Sequence, residues 1–232
     1  MSTALRVVPT VAEGLALEAE AFDGIGPPVR LWMAEARALV CPAAFRRKRG
    51  FDAAARTTAA RNWPLHLRPT GGGAVPQGPG VLNLALAFTA GPEFGIEAGY
   101  HLVTDVIRHA LGPFGRSLAT GATPDSFCDG AWNLSVAGQK LVGTAQRIRP
   151  AGGGRRRVLV HALILLEGDL SAGVEAVNGL HADLGLPRVT DQAHTTLAHV
   201  FGPEAAEPAQ LARHLAAHAA QALAPSPAIF AA

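Results

Sequence analysis

The chain has 232 residues, enough for one large domain that buries most of its unfolded surface without disulfide or metal staples. Nearly half of the residues are apolar, with alanine and glycine carrying much of that share, so a core of small side chains is expected. A formal charge of +2 argues against the basic face of a nucleic-acid binder, and no apolar run approaches the ~20 residues that cross a bilayer as a helix.

Taken in chain order, Thr10-Val-Ala-Glu13 has the form of a capping box and opens a helix through about Phe22, which Gly24, Gly26, Pro27 and Pro28 end. Residues 29–33 set Val29, Leu31 and Met33 against Arg30 and Trp32, the alternation of a half-buried strand. Residues 51–62 are alanine-rich and helical until Pro64, and a short strand over 65–68 follows. Residues 81–88 alternate strictly, with Leu82, Leu84, Leu86 and Phe88 on one face. Leu102, Val103, Val106, Ile107, Ala110 and Leu111 form a helical stripe that Gly112-Pro113 closes. Strands are predicted over 132–136 and 140–149, around Ala137-Gly138-Gln139, and over 158–166 after a turn at Gly152-Gly153-Gly154. The segment 208–223 is an alanine-rich helix with Leu211, Leu215 and Leu223 on one side. Hairpins without regular βαβ units indicate an α+β fold.

Cys41 and Cys128 lie too far apart in sequence to suggest a disulfide framework, and Cys41 reads as a small buried hydrophobe. Glu13, Glu18 and Glu20 interrupt the early apolar residues, so no leader is expected. The expected location is cytoplasmic, with reduced thiols. Arg46-Arg47-Lys48-Arg49 and Arg155-Arg156-Arg157 read as solvated loop charge, or as docking points for an acidic carrier. His101, His109, His181, His214 and His218 are expected on helix surfaces or in loops, and His161 inside a buried strand. No spacing suggests a metal, and no P-loop is present.

Two segments carry chemistry. In Arg68-Pro-Thr-Gly-Gly-Gly-Ala-Val75, three glycines between two predicted strands let backbone N–H groups approach a carboxylate, phosphate or thioester carbonyl. In Ser126-Phe-Cys-Asp-Gly-Ala-Trp-Asn-Leu-Ser135, followed by Gly138-Gln-Lys-Leu-Val-Gly-Thr-Ala-Gln146, a cysteine and a lysine fall within one hairpin-like stretch. A thiolate is both nucleophile and leaving group, and a nearby lysine favours it.

These segments resemble the catalytic segments of the lipoate-protein ligase and octanoyltransferase family, over about residues 29–190. Arg68, Gly71, Gly72, Gly73, Val75, Gly80 and Asn83 match the pattern Arg-Arg-x-Gly-Gly-Gly-x-Val with its Gly-x-x-Asn close. Pro69 replaces the second arginine, and Pro76-Gln77 replaces the usual tyrosine-histidine. Gly138, Lys140, Gly143, Thr144, Ala145 and Gln146 match the most specific signature, Gly-x-Lys, two residues, Gly-[Ser/Thr]-Ala-Gln. The Cys128 segment resembles Ser-Tyr-Cys-Pro-Gly-Ser-Tyr-Asp-Leu-Ser of the octanoyl-transferring branch, with Asp129 where proline is common.

The resemblance implies a single catalytic domain over residues 1–232, built on a central mixed, largely antiparallel sheet flanked by helices. It implies Cys128 as the nucleophile that forms an acyl thioester and Lys140 as the group that polarises the acyl carbonyl. Arg68 and Gly71, Gly72 and Gly73 would hold the acyl head, while Asn83, Gly143, Thr144, Ala145 and His161 would bind substrate. The implied activity is transfer of an octanoyl or lipoyl group onto a lysine of a lipoyl domain of a 2-oxoacid dehydrogenase or of the glycine cleavage H protein. Acyl carrier protein is a further candidate donor, and neither nucleic acid nor membrane is expected as a partner. No cofactor is implied for a transferase. The alternatives are a ligase that uses ATP and Mg to make lipoyl-AMP, and a non-catalytic binder of acylated carriers.

Overall fold

A computed structural model describes residues 4–224, whose strands divide between two sheets. In chain order the elements are β1 (Leu5–Val8), α1 (Val11–Phe22), β2 (Val29–Ala34), β3 (Ala38–Pro42), α2 (Phe51–Ala60), β4 (Leu65–Arg68), β5 (Val75–Gln77) and β6 (Val81–Ala90). They continue with α3 (Ile96–Ala110), β7 (Ala119–Gly121), β8 (Asn133–Val136), β9 (Gln139–Pro150), β10 (Arg156–Leu165), α4 (Ser171–Leu184), α5 (Leu197–Phe201) and α6 (Pro208–Ala222). The large sheet runs β1-β2-β6-β10-β9-β8-β7, and all of its pairs are antiparallel except β1 with β2. The small sheet runs β4-β3-β5, with β3 parallel to β4 and antiparallel to β5. The fold is therefore α+β, a mixed and largely antiparallel sheet flanked by helices, as the sequence indicated.

Local chemistry explains the element boundaries. Thr10 Oγ1 accepts the Glu13 N–H and donates to the Glu13 carboxylate, so the two residues of the expected capping box cap the start of α1 through the Thr10 hydroxyl. Ala137 and Gly138 have φ of 50° and 80°, and Val136 pairs with Gln139 across them, giving the two-residue hairpin whose positive φ angles follow the twist of its strands.

Both faces of the large sheet are covered, and this corrects the half-buried reading of β2. α3 and α6 lie on one face, over Leu82, Leu84, Leu86 and Phe88 of β6. α1 and the small sheet, backed by α2 and α4, cover the other, so Val81, Asn83, Ala85 and Ala87 are buried as well. In β2, Trp32 is fully enclosed beneath α1, where Gly14 leaves room for its ring. His181, expected on a helix surface, is buried and bonds the Pro187 carbonyl through Nδ1. Cys41 is a buried thiol, pushed up to about 11 chiefly by desolvation. No helix among the described residues is long and apolar enough to cross a membrane.

Candidate active site

The two segments singled out in the sequence meet between the sheets. The loop after β4 brings Gly71, Gly72 and Gly73 against the segment 125–128, and the Gly73 N–H donates to Cys128 Sγ at 3.1 Å. Gly71 has open space beside it, but a Cβ on Gly72 would lie 2.5 Å from Cys128 Sγ, and one on Gly73 would lie 3.1 Å from Cys128 Cα. Arg68 holds the loop in shape from the end of β4. Its Nη2 donates to the carbonyls of Gly71 (2.9 Å) and Gly73 (2.8 Å), its Nη1 to Val40 (3.1 Å), and Nη2 stands 3.9 Å from Sγ. Burial lowers the guanidinium's pKa from its ordinary value, with the cysteines and Glu18 opposing that shift. The glycine loop thus presents an N–H and a positive charge to the thiol.

Cys128 itself sits at φ 58°, and Asp125 just before it at φ 62°. The left-handed region costs a non-glycine residue about 1–2 kcal/mol, so neighbouring contacts must hold this turn. Lys140 supplies two of them. Its side chain is fully buried, and Nζ donates to the carbonyls of Phe127 (2.6 Å) and Cys128 (2.8 Å). Asn133 Nδ2 adds a bond to the Cys128 carbonyl at 3.3 Å. Gly143 on the same strand is glycine because a Cβ there would lie 3.1 Å from Lys140 Cε and Nζ. Desolvation brings the Lys140 pKa down from 10.5 to about 8. Either protonation state keeps both carbonyl bonds, since a neutral amine has two N–H groups and an ammonium three.

His194 completes the clamp, and the sequence reading missed it. Its Nδ1 lies 2.8 Å from the Thr190 carbonyl, which requires the proton on Nδ1, so Nε2 accepts the Phe127 N–H at 2.9 Å. The imidazole also stacks on the Phe127 ring at 3.7 Å between centroids. Burial first, and then the charge of Lys140, press its pKa down to about 4, so the ring is neutral at ordinary pH. No local motif surrounds His194; its partner is a backbone N–H 67 residues away. Asp129, the departure from proline, turns its carboxylate to the Thr123 N–H at 2.5 Å.

Beside Cys128 lies a cavity of about 420 Å³, open mouth included, between the large sheet, the small sheet and α1. Its walls are largely apolar and include Leu15, Trp32, Val40, Val75, Ala162 and Leu163, together with Gly143, Thr144 and Ala145 of β9. Two polar groups interrupt them. His161 bridges Glu18 (Nδ1 to Oε2, 2.8 Å) and Thr70 (Nε2 to Oγ1, 2.9 Å), while the other Glu18 oxygen accepts the Trp32 indole N–H at 2.9 Å. Gln77 and Asn83 form a reciprocal amide pair at 2.7 and 2.9 Å.

The residues expected to be catalytic or substrate-binding therefore lie together: Cys128, Lys140, Arg68, the three glycines, Asn83, Gly143, Thr144, Ala145 and His161, whereas Gln146 of the same signature turns away to the Ile96 carbonyl. Thr144 joins the site partly at second hand, with Oγ1 on the Trp132 carbonyl at 2.8 Å, tying β9 to the chain that follows Cys128. Glu18, Thr70 and His194 are the members that were not foreseen. Of the two basic runs, residues 46–49 are mainly exposed, whereas Arg156 and Arg157 bond the carbonyls of Phe94 and Phe22.

This fold and site define a class. The family model of the lipoyl protein ligase A/B catalytic domain matches residues 46–218, so the chain belongs to that family. Within it, the chain is 38% identical over 162 residues to an uncharacterized protein of Cupriavidus necator, covering 64% of this chain and 62% of that one. It is 30% identical over 154 residues to the octanoyl-GcvH:protein N-octanoyltransferase of Kyrpidia tusciae, covering 64% of this chain and 54% of that one. The chain thus matches less than two thirds of the length of either relative. Among solved structures, lipoate-protein ligase A bound with ATP superposes with a TM-score of 0.64 at 16% identity, over 96% of this chain and 86% of that one. A bi-partite lipoate protein ligase of Thermoplasma acidophilum, studied with its E2 lipoyl domain, gives 0.58 at 18% identity, over 96% and 84%. Both share the fold.

Proposed function

We propose that this chain is an octanoyl or lipoyl transferase that carries the acyl group as a thioester on Cys128 and delivers it to a lysine of a lipoyl-carrier domain. The carrying observation is the setting of Cys128. Its sulfur accepts a backbone N–H and faces a guanidinium, its backbone is clamped by a lysine with a pKa of about 8, and an apolar cavity opens beside it. The relatives named for octanoyl transfer from GcvH support octanoyl as the group and an H-protein-like carrier as donor. The structural neighbour studied with an E2 lipoyl domain supports a lipoyl domain as acceptor.

In the first step the Cys128 thiol passes its proton to neutral Lys140, and the sulfur attacks the octanoyl-lysine amide carbonyl of the donor. A C–S bond forms, the C–N bond breaks, and the donor amine leaves with the proton that Lys140 returns. In the second step the neutral amine of the acceptor lysine attacks the thioester: a C–N bond forms, the C–S bond breaks, and the surplus proton of the amine passes through Lys140 to the departing sulfur. A group with a pKa near 8 exchanges protons in both directions at neutral pH. The Gly73 N–H and Arg68 stabilise the thiolate whenever it is free. Asn83, Gly143, Thr144, Ala145 and His161 shape the cavity for the acyl chain. No cofactor enters the scheme.

Intact mass after incubation with octanoylated carrier tests the proposal. The expected result is one octanoyl adduct on the wild type, labile to hydroxylamine and absent in Cys128→Ala. Octanoyl-AMP formed from octanoate and ATP by both proteins, with no adduct, would replace the transferase with a ligase.

A further inference from the structure

A second cavity lies one step along the strands from the first, on the same face of the large sheet. The site cavity is floored by Asn83 of β6 and Leu163 of β10, which pair across the two strands. Two residues further on, the paired Val81 and Leu165 line a cavity of about 720 Å³, mouth included. Residues two apart on a strand face the same way and sit about 7 Å from each other, so the second cavity continues the line of the first. β5 spans the junction: Val75 borders the first cavity, Pro76 the second and Gln77 both.

What stands at the junction is the amide pair. Gln77 and Asn83 are 6% and 3% exposed, and each amide gives one hydrogen bond to the other and accepts one back. Without it, the apolar slot would run on toward Trp63 and Arg37 at the outer mouth. Further methylenes of an acyl chain would then find the apolar surface of Pro76, Val81, Leu165 and Leu170, and longer chains would bind better. A chain that reaches the pair must instead unpair two buried amides that have no water to turn to.

We infer that the Gln77–Asn83 amide pair is the partition that closes the acyl cavity and sets the longest chain this protein accepts. The inference rests on the proposed acyl-transfer reading and names its specificity-determining residue, Gln77.

The test compares octanoyl and tetradecanoyl thioesters of N-acetylcysteamine as acyl donors, with the adduct on Cys128 read by intact mass. Wild type should take octanoyl about tenfold or more faster than tetradecanoyl, the scale on which a closed apolar pocket rejects added methylenes. Gln77→Ala joins the cavities and should lower that ratio about tenfold, while Gln77→Met refills the junction and should keep it. If Gln77→Ala does not fold, Gln77→Ala with Asn83→Ala, which leaves neither amide orphaned, carries the same expectation. A wild type that takes tetradecanoyl as readily as octanoyl, or a Gln77→Ala protein with an unchanged ratio, overturns the partition. Calorimetric affinities for free octanoate and tetradecanoate read the same ratio without catalysis. Loss of acylation in every protein then sinks the acyl-enzyme, while binding still decides the partition.

Discussion

Two runs of three glycines occur in this chain, and they differ in what surrounds them. Gly152, Gly153 and Gly154 are exposed at the turn between β9 and β10, all with positive φ, and a Cβ on any of them would touch nothing within 4 Å. At Gly71–Gly73 only Gly72 has a positive φ, yet Cβ atoms on Gly72 and Gly73 would run into Cys128. The first run is glycine for the sake of its own backbone angles. In the second, Gly72 and Gly73 are glycine because another segment passes so close. A glycine triplet alone therefore says nothing about function; the neighbour it admits decides.

The strongest way to break that contrast is Gly73→Ala. Its Cβ would press on the Cys128 backbone and displace a thiol that the Gly73 N–H now holds at 3.1 Å. A displacement of about 1 Å at a reacting group costs on the order of 10²-fold, and the rate of acyl-adduct formation should fall by at least that much. An unchanged rate would mean that the loop does not position the sulfur. The opposite side of the same turn is probed by Lys140→Met, which keeps the buried stem and removes the proton carrier. Loss of general acid–base help costs about 10²–10⁴-fold, so thioester formation should slow by that range, and full activity in this variant would discard Lys140 from the scheme.

His194 sharpens the contrast through pH. Its folded pKa of about 4 lies below the ordinary value of 6.5, so between these values the unfolded chain binds a proton that the folded protein does not. The stability tied to its neutral ring is complete above pH 6.5 and is lost as pH falls toward 4. At 1.36 kcal/mol per unit this amounts to on the order of 3 kcal/mol. Thermal melts of the wild type should therefore drop between pH 6.5 and 4, and His194→Gln should flatten that slope. Equal slopes would show that the histidine does not titrate there. The smallest effect belongs to the exposed triplet: Gly153→Ala should leave acyl transfer untouched and cost about 1–2 kcal/mol of stability from its positive φ alone. A loss of activity in that variant would erase the distinction between the two runs.

Much of the frame was legible in the sequence because it is local. The capping box at Thr10, the alternation over β6, the stripe of α3 and the Ala137–Gly138 hairpin each arise from residues a few positions apart, and each stands where it was expected. Other elements carried no such signal. β3 is a continuously buried run, and β5 is three residues with a proline at its centre. Neither has a period to read, yet they build the small sheet that roofs the cavity. The alternation also misled at Trp32, since periodicity marks one buried face and a sheet covered on both sides has two.

The sequence by itself determined the family and the α+β class, and through the family resemblance it singled out Arg68, the glycine loop, Cys128 and Lys140, because motif spacing preserves what local backbone must do. Only the tertiary structure decided how those groups are held. It turned the Gly73 N–H toward the sulfur, set Lys140 on the Phe127 and Cys128 carbonyls, and brought in Glu18 from 143 residues away and His194 from 67. It also set Gln77 against Asn83 beside the cavity. The reason is physical: such bonds join segments distant in the chain, and their strength comes from exclusion of water between two sheets, which no stretch of sequence records.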